Sequence, residues 1–161
     1  DAIAQAAESR GDDAETWVMA PMVATSKEAQ WFAELCRERG LTAGAMIEVP
    51  AAALMADKIM PHLDFVSIGT NDLTQYTMAA DRLSPQLAYL TDPWQPAVLN
   101  VIKAACAGAA ELGKPIGVCG ESGGDPLMAL VLTGLGVSSL SMAPSKVPAV
   151  RFALSRHIGR P

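Results

Sequence analysis

The stretch SIGTNDLTQYTMAADR, Ser67 to Arg82, joins a short apolar run to a polar segment with a helical pattern. Its first residues complete the apolar run FVSIG, Phe65–Gly69, and Asp72 follows that run closely. A short run that is apolar on both faces is typical of a strand in a parallel sheet. The stretch therefore predicts a β-strand, a strand exit that carries polar side chains, and a helix.

Similar apolar runs occur before and after this stretch, and a helical pattern follows each of them. The predicted strands are Trp17–Met22, Ala43–Val49, Phe65–Gly69, Ile116–Cys119 and Ser139–Met142. The predicted helices are Lys27–Arg39, Ala51–Met60, Leu73–Asp81, Ala97–Leu112, Pro126–Thr133 and Pro148–Ile158. The segment Glu8–Glu15 is predicted to be a solvated loop that follows a helix. This alternation predicts an α/β fold with five parallel strands.

Cap and turn residues mark several helix boundaries. Ser26 is the predicted N-cap of the helix Lys27–Arg39, and Asp125 is the predicted N-cap of the helix that begins at Pro126. Pro96 is predicted to open the long helix, and Gly113 to close it.

The composition excludes several classes of protein. The chain has 161 residues, 50% of them hydrophobic, which is enough for one domain or part of one. Its net charge of −5 and its lack of a basic run argue against nucleic-acid binding. No apolar run has the length of a membrane span, and no signal-peptide pattern occurs, so a cytoplasmic protein without membrane contact is expected. The cysteines, three in number and without CxxC spacing, argue against a disulfide framework or a zinc site.

Three reactive side chains fall at the carboxyl ends of predicted strands. Glu48 lies near the end of the second strand, Asp72 follows the third and Cys119 ends the fourth. In parallel α/β folds this edge is where ligands bind. Two carboxylates there would suit Mg²⁺ or Mn²⁺. Asn71 and Arg82 would suit a phosphate group. The Cys119 thiol could deliver a proton to a carbon atom.

Each of these residues also has an ordinary structural explanation. Glu48 could be a loop residue, Asn71 and Asp72 a helix cap, and Cys119 a small buried side chain. Only their joint placement favours a functional site. Cys36 and Cys106 lie in helical patterns and are assigned to packing.

Three runs carry a resemblance to a known family. They are MIEVPAAALMAD (Met46–Asp57), FVSIGTNDLTQYTMAADR (Phe65–Arg82) and GVCGESGGDPLMALVLTGLGVSSLSMAP (Gly117–Pro144). They closely resemble enzyme I of the bacterial sugar phosphotransferase system, the phosphoenolpyruvate–protein phosphotransferases. Pyruvate phosphate dikinase and phosphoenolpyruvate synthase share NDLTQ and the Cys-Gly loop but usually differ after Gln75.

The resemblance implies a phosphoenolpyruvate-binding (β/α)8 barrel, of the TIM type, of which this chain would hold about the last five βα units. Residues 1–161 would then be the C-terminal part of that domain, without the early strands and without the N-terminal phosphohistidine domain. By match to the family motifs, Glu48 and Asp72 would ligate Mg²⁺, Asn71 would contact the substrate phosphate and Arg82 would also bind substrate. Cys119 would protonate the enolate of pyruvate.

The implied reaction passes the phosphoryl group of phosphoenolpyruvate to a histidine of the same enzyme and on to the carrier HPr. Neither His62 nor His157 lies in a matching motif, so neither is the expected acceptor. The resemblance further implies a homodimer, and the isolated chain is expected to be inactive. Two alternatives stay open: a fragment of a dikinase or synthase, and a non-catalytic module for dimerisation and phosphoenolpyruvate binding.

Overall fold

Five parallel strands form one sheet in the computed structural model, which describes residues 1–11 and 14–157. The strands are β1 (Trp17–Ala20), β2 (Thr42–Ile47), β3 (Phe65–Gly69), β4 (Ile116–Cys119) and β5 (Ser139–Leu140). They lie side by side in the order of the sequence, every neighbouring pair is parallel, and β1 and β5 form the two edges. The predicted five-stranded α/β arrangement is confirmed.

Helices connect the strands and cover one face of the sheet. They are α1 (Ala2–Arg10), α2 (Ser26–Arg37), α3 (Pro50–Leu54), α4 (Ala56–Ile59), α5 (Thr70–Thr77), α6 (Pro96–Leu112), α7 (Pro126–Gly134) and α8 (Val147–His157). Short 3-10 turns lie at Met60–His62, Pro85–Leu87, Glu121–Gly124 and Pro144–Lys146. No helix of the described residues is both long enough and apolar enough to cross a membrane.

The core lies between the sheet and these helices. Alternate strand residues such as Ile47, Ile68 and Val118 are fully buried there, because successive side chains of a strand point to opposite faces. Each such side chain contributes about 1.5–3 kcal/mol through removal of apolar surface from water. The opposite face of the sheet is more open: Trp17 is 57% exposed, and its ring lies 4.7 Å from that of Phe65.

Two helix starts show how local side chains set the boundaries. The N-cap of α2 is Thr25, so the prediction of Ser26 was wrong by one residue. The Thr25 hydroxyl accepts a hydrogen bond from the Glu28 amide, and the Glu28 carboxylate accepts one from the Thr25 amide, which forms a capping box. At α7 the prediction is confirmed, since the Asp125 carboxylate accepts from the amides of Leu127 and Met128.

Other helix and strand boundaries also differ from the prediction. The predicted helix Ala51–Met60 is broken at Met55, whose φ of −112° and ψ of 26° are not helical. The helix after β3 begins at Thr70 and ends at Thr77, earlier than Leu73–Asp81, and Ala79 has a positive φ of 49°. Strand β1 stops at Ala20 because Pro21 follows and Met22 takes a φ of 55°.

The ends of the chain differ in detail from the prediction. Strand β5 has only two residues rather than four. Residues 8–10 of the predicted loop continue α1, which ends at Arg10 and is followed by the C-cap Gly11 with a φ of 68°. Asp12, Asp13 and Ile158, which the predictions included, lie outside the described residues. The long helix opens at Pro96 and closes at Gly113, as predicted.

Candidate active site at the carboxyl edge of the sheet

Four of the predicted site residues lie at the carboxyl edge of the three central strands, and Arg82 lies beyond α5. Glu48 directly follows β2, Cys119 is the last residue of β4, and α5, which carries Asn71 and Asp72, begins directly after β3. Gly69 at the end of β3 pairs in register with Cys119 at the end of β4. The parallel register therefore brings the exits of these strands to one edge, as the sequence predicted.

Glu48 is a buried carboxylate with one oxygen available. It is 3% exposed, and its Oε1 accepts a hydrogen bond of 2.7 Å from the Met22 amide. Within the described residues Glu48 has no ion-pair partner, and burying an unpaired carboxylate is costly. Its Oε2 lies 2.6 Å from the position that a Cβ on Gly69 would occupy, so the absent side chain of Gly69 leaves the space that this oxygen fills.

The exit of β4 is tied to the start of α5. The Thr70 hydroxyl donates to the carbonyl of Cys119 at 3.1 Å. Gly120 has a φ of 91°, and a Cβ there would lie 2.7 Å from the Thr70 Oγ1 and 3.1 Å from the Asn71 Oδ1. Only glycine fits this close approach without strain, so Gly120 allows Cys119 to lie beside Thr70 and Asn71.

The side-chain NH₂ of Asn71 donates to no acceptor among the described residues. Its Oδ1 accepts a hydrogen bond of 3.3 Å from the Glu121 amide, which leaves the two N–H donors of the side chain available to a ligand. The two polar residues that follow the strands in sequence, Asn71 and Glu121, are thereby joined across the site.

Arg82 and Asp72 pair with each other. The Arg82 Nη1 lies 3.7 Å from the Asp72 Oδ1, and the side chains are 46% and 31% exposed. A pair this open to water contributes only about 0–1 kcal/mol. The backbone amide of Arg82 is held separately by the Gln75 Oε1 at 3.2 Å, so the guanidinium can leave Asp72 without moving the backbone.

Two pockets meet at Asn71 and Glu121. One, of about 360 Å³, also includes Arg82, Leu83 and Thr91. The other, of about 490 Å³, is completed by Gly120, Gly124, Met142, Ala143 and Lys146. Sequence reasoning missed Lys146, although it is the only charged residue between β5 and α8.

The donor set fits a hard divalent cation. The free oxygen of Glu48 and the carboxylate of Asp72 are oxygen ligands of the kind that Mg²⁺ prefers. No group of three or more His, Cys, Asp or Glu side chains in the described part of the chain could hold a metal. Two protein carboxylates nevertheless suit Mg²⁺, which usually keeps several waters and takes further oxygens from a phosphorylated substrate.

The three cysteines differ in environment. Cys36 and Cys106 are buried, and burial raises the pKa of both thiols, that of Cys106 to about 11. Cys119 is only partly buried, and its Sγ lies 3.5 Å from the carbonyl oxygen of Ile68.

We expect iodoacetamide at pH 8 to label Cys119 well before the other two cysteines. A raised pKa leaves less thiolate at this pH, and the thiolate is the nucleophile. Peptide mass spectrometry after timed labelling of the native protein would measure the order. Faster labelling of Cys36 or Cys106 would contradict the burial described here.

Solved structures with related folds support the barrel-type architecture. RipC from Yersinia pestis matches with a TM-score of 0.61 and 14% identity, over 85% of this chain and 62% of that protein. An HpcH/HpaI aldolase/citrate lyase family protein from Burkholderia cenocepacia matches with a TM-score of 0.61 and 17% identity, over 87% of this chain and 64% of that protein. At such identities the likeness concerns the fold alone, and it agrees with a partial (β/α)8 barrel.

Curated relatives are much closer in sequence. A phosphoenolpyruvate-protein phosphotransferase of Streptomyces coelicolor is 52% identical over 141 residues, which are 86% of this chain and 25% of the relative. The enzyme of the same name from Geobacillus stearothermophilus is 41% identical over 152 residues, 86% of this chain and 26% of the relative. A multiphosphoryl transfer protein of Xanthomonas campestris pv. campestris is 47% identical over 150 residues, 89% of this chain and 18% of the relative.

The chain thus spans about a quarter or less of the length of these relatives. The family model described as PEP-utilising enzyme, PEP-binding domain, matches residues 1–158. The predicted resemblance to phosphoenolpyruvate–protein phosphotransferases is confirmed, and the chain belongs to the phosphoenolpyruvate-utilising enzymes, within their phosphoenolpyruvate-binding domain.

Proposed function

We propose that this chain forms the catalytic, phosphoenolpyruvate-binding part of a phosphoenolpyruvate–protein phosphotransferase. In this proposal the phosphoryl group passes to a histidine of the same enzyme and then to HPr, the first step of the sugar phosphotransferase system, and pyruvate is released. The observation that supports it most is the buried Glu48 carboxylate, with a free oxygen at the edge where Asp72 and Cys119 also lie. The names of the relatives agree with this activity.

The proposed acceptor histidine lies outside this chain. His62 shares a hydrogen bond with the Ser26 hydroxyl, and His157 lies near the end of α8 beside the carbonyl of Ala153. Neither is among the residues that line the two pockets at Asn71. Residues 1–161 would form the C-terminal part of the barrel domain of a longer, cytoplasmic and homodimeric enzyme, in which further strands pair with β1 and β5. The isolated chain would then be inactive.

Substrate binding follows from charge and donor geometry. Glu48 and Asp72 would hold Mg²⁺, which when bound supplies positive charge to the enolate oxygen and to the transferring phosphoryl group. The NH₂ group of Asn71 would donate to the phosphate. Arg82 would leave Asp72 and bind the phosphate with its planar fork, because two parallel hydrogen bonds from a guanidinium match a phosphate well.

Cys119 would complete the reaction at carbon. As the bond between phosphorus and the enol oxygen breaks, a bond forms between phosphorus and the histidine nitrogen, and the electron pair stays on the enolate. The Cys119 thiol then gives its proton to C3 of the enolate, which yields pyruvate and leaves a thiolate that solvent reprotonates. The partial exposure of Cys119 supports both steps.

Calorimetric titration of phosphoenolpyruvate into the full-length protein tests the proposed site. Binding is expected to require Mg²⁺ and to be lost in Asp72→Asn, because the amide removes the charge that holds the cation. Asp57→Asn is the matched control, since the Asp57 carboxylate pairs with Lys58 on α4, and should bind normally. Binding that ignores Mg²⁺, or that persists in Asp72→Asn, would refute the metal assignment.

A further inference from the structure

Lys146 places its ammonium group at the larger pocket. Its backbone amide donates to Ala143 at 2.9 Å, within the turn that follows β5. Its Cγ lies 3.3 Å from the position of a Cβ on Gly124, so the aliphatic stem lies closely over that glycine. Within residues 1–11 and 14–157 its Nζ makes neither a hydrogen bond nor an ion pair, whereas the Lys114 Nζ donates to the carbonyls of Met60, Pro61 and Leu63. The stem of Lys146 thus lies against Gly124, while the exposed side chain leaves its charge available.

Two cations therefore lie on the two sides of Asn71. The pocket of Arg82 and the pocket of Lys146 share only Asn71 and Glu121. The free NH₂ of Asn71 adds a donor between them, and Glu121 adds one negative charge to the two positive ones. This arrangement of donors suits a short ligand with two anionic groups, one for each cation.

The residues that line each pocket indicate which anionic group of the ligand binds in it. Gly120, next to Cys119 in the chain, lines the pocket of Lys146 and is absent from the lining of the pocket of Arg82. The carbon that receives a proton must lie beside Cys119, so the pyruvate half of the substrate belongs in the Lys146 pocket. The phosphate then points towards Arg82, whose fork matches it, and the compact ammonium of Lys146 faces a carboxylate.

We propose that Lys146 binds the carboxylate of phosphoenolpyruvate, on the side of Asn71 opposite to Arg82. The inference rests on the proposed function and adds to it a residue that determines substrate binding and orientation. A charge-assisted hydrogen bond of this kind changes affinity by roughly tenfold or more.

The test compares three ligands in the full-length protein with Mg²⁺: phosphoenolpyruvate, pyruvate as a carboxylate probe and inorganic phosphate. Lys146→Met keeps the stem over Gly124 and removes the charge. We expect it to raise the Kd for phosphoenolpyruvate and pyruvate about tenfold and to leave that for inorganic phosphate unchanged. Lys103→Met, which removes an exposed ammonium on α6, is the charge-matched control and should bind all three normally.

The outcomes separate this inference from the proposed function. Normal binding of pyruvate and phosphoenolpyruvate by Lys146→Met, with the loss in Asp72→Asn retained, would overturn the role of Lys146 alone. Weaker binding of inorganic phosphate in Lys146→Met would overturn the assignment to the carboxylate. A wild-type protein that binds no phosphoenolpyruvate would overturn both.

Discussion

Cys119→Ala is expected to lower pyruvate release by roughly 10²–10⁴-fold while phosphoenolpyruvate still binds, because proton delivery in the transition state contributes about that factor. The substitution removes only the Sγ, and the backbone carbonyl of Cys119 keeps its hydrogen bond from Thr70. Stopped-flow or coupled assays of pyruvate with the full-length enzyme and HPr would measure the loss. Calorimetry on the same variant would show that the site is intact.

Cys106→Ala serves as the control for a general loss of thiol. This cysteine is buried in α6 and takes no part in either pocket at Asn71, so turnover should stay normal. Unchanged pyruvate release in Cys119→Ala would remove that residue from its proposed role. A wild-type protein that binds phosphoenolpyruvate and never releases pyruvate would favour a non-catalytic binding module. Turnover that requires AMP rather than HPr would favour a dikinase or synthase.

Gly108→Ala should destabilise the protein, although the same change inside a helix ordinarily stabilises by about 0.5–1 kcal/mol. A Cβ on Gly108 would lie 2.9 Å from both the Cβ of Ala56 and the backbone nitrogen of Asp57. These atoms belong to a helix backbone and its first side-chain carbon, so α4 and α6 must move apart. Overpacking of this kind costs about 1–3 kcal/mol, which exceeds the gain in helix propensity.

Urea unfolding followed by circular dichroism would measure this effect against Gly134→Ala. Gly134 is the last residue of α7, and a Cβ there would have no atom within 4 Å. Gly134→Ala should therefore stabilise the protein by about 0.4–1 kcal/mol, because alanine lowers the conformational entropy of the unfolded chain. A Gly108→Ala variant as stable as Gly134→Ala would show that the two helices can separate at little cost.

Local chemistry explains which parts of the fold could be predicted from sequence. The five strands were found because each is a short apolar run followed by a helical pattern, and Asp125 with Pro126 marks a helix start by its own hydrogen bonds. The break at Met55 and the early end of α5 at Thr77 escaped prediction, since no glycine or proline marks either position.

The site was predictable to the extent that strand ends determine it. Glu48 and Asp72 closely follow strands and Cys119 ends one, so their common edge could be derived from the alternation of strands and helices in the sequence. The contact between Glu48 and the Met22 amide joins residues far apart in sequence. The contact of the Lys146 stem with Gly124 also joins residues far apart in sequence. Neither contact produces a pattern that can be recognised in the local sequence. Such contacts depend on packing that only the folded chain defines.

The hydrogen bond from the Met22 amide to Glu48 makes that amide a spectroscopic probe of the site. Its NMR shift depends on the charge of the carboxylate that accepts the proton, and Met22 lies just beyond an edge strand rather than among the proposed substrate-binding groups. When a cation draws electron density from Glu48, the Met22 resonance should move even with no substrate present. One backbone signal would thus report the occupancy of the carboxylate site in real time.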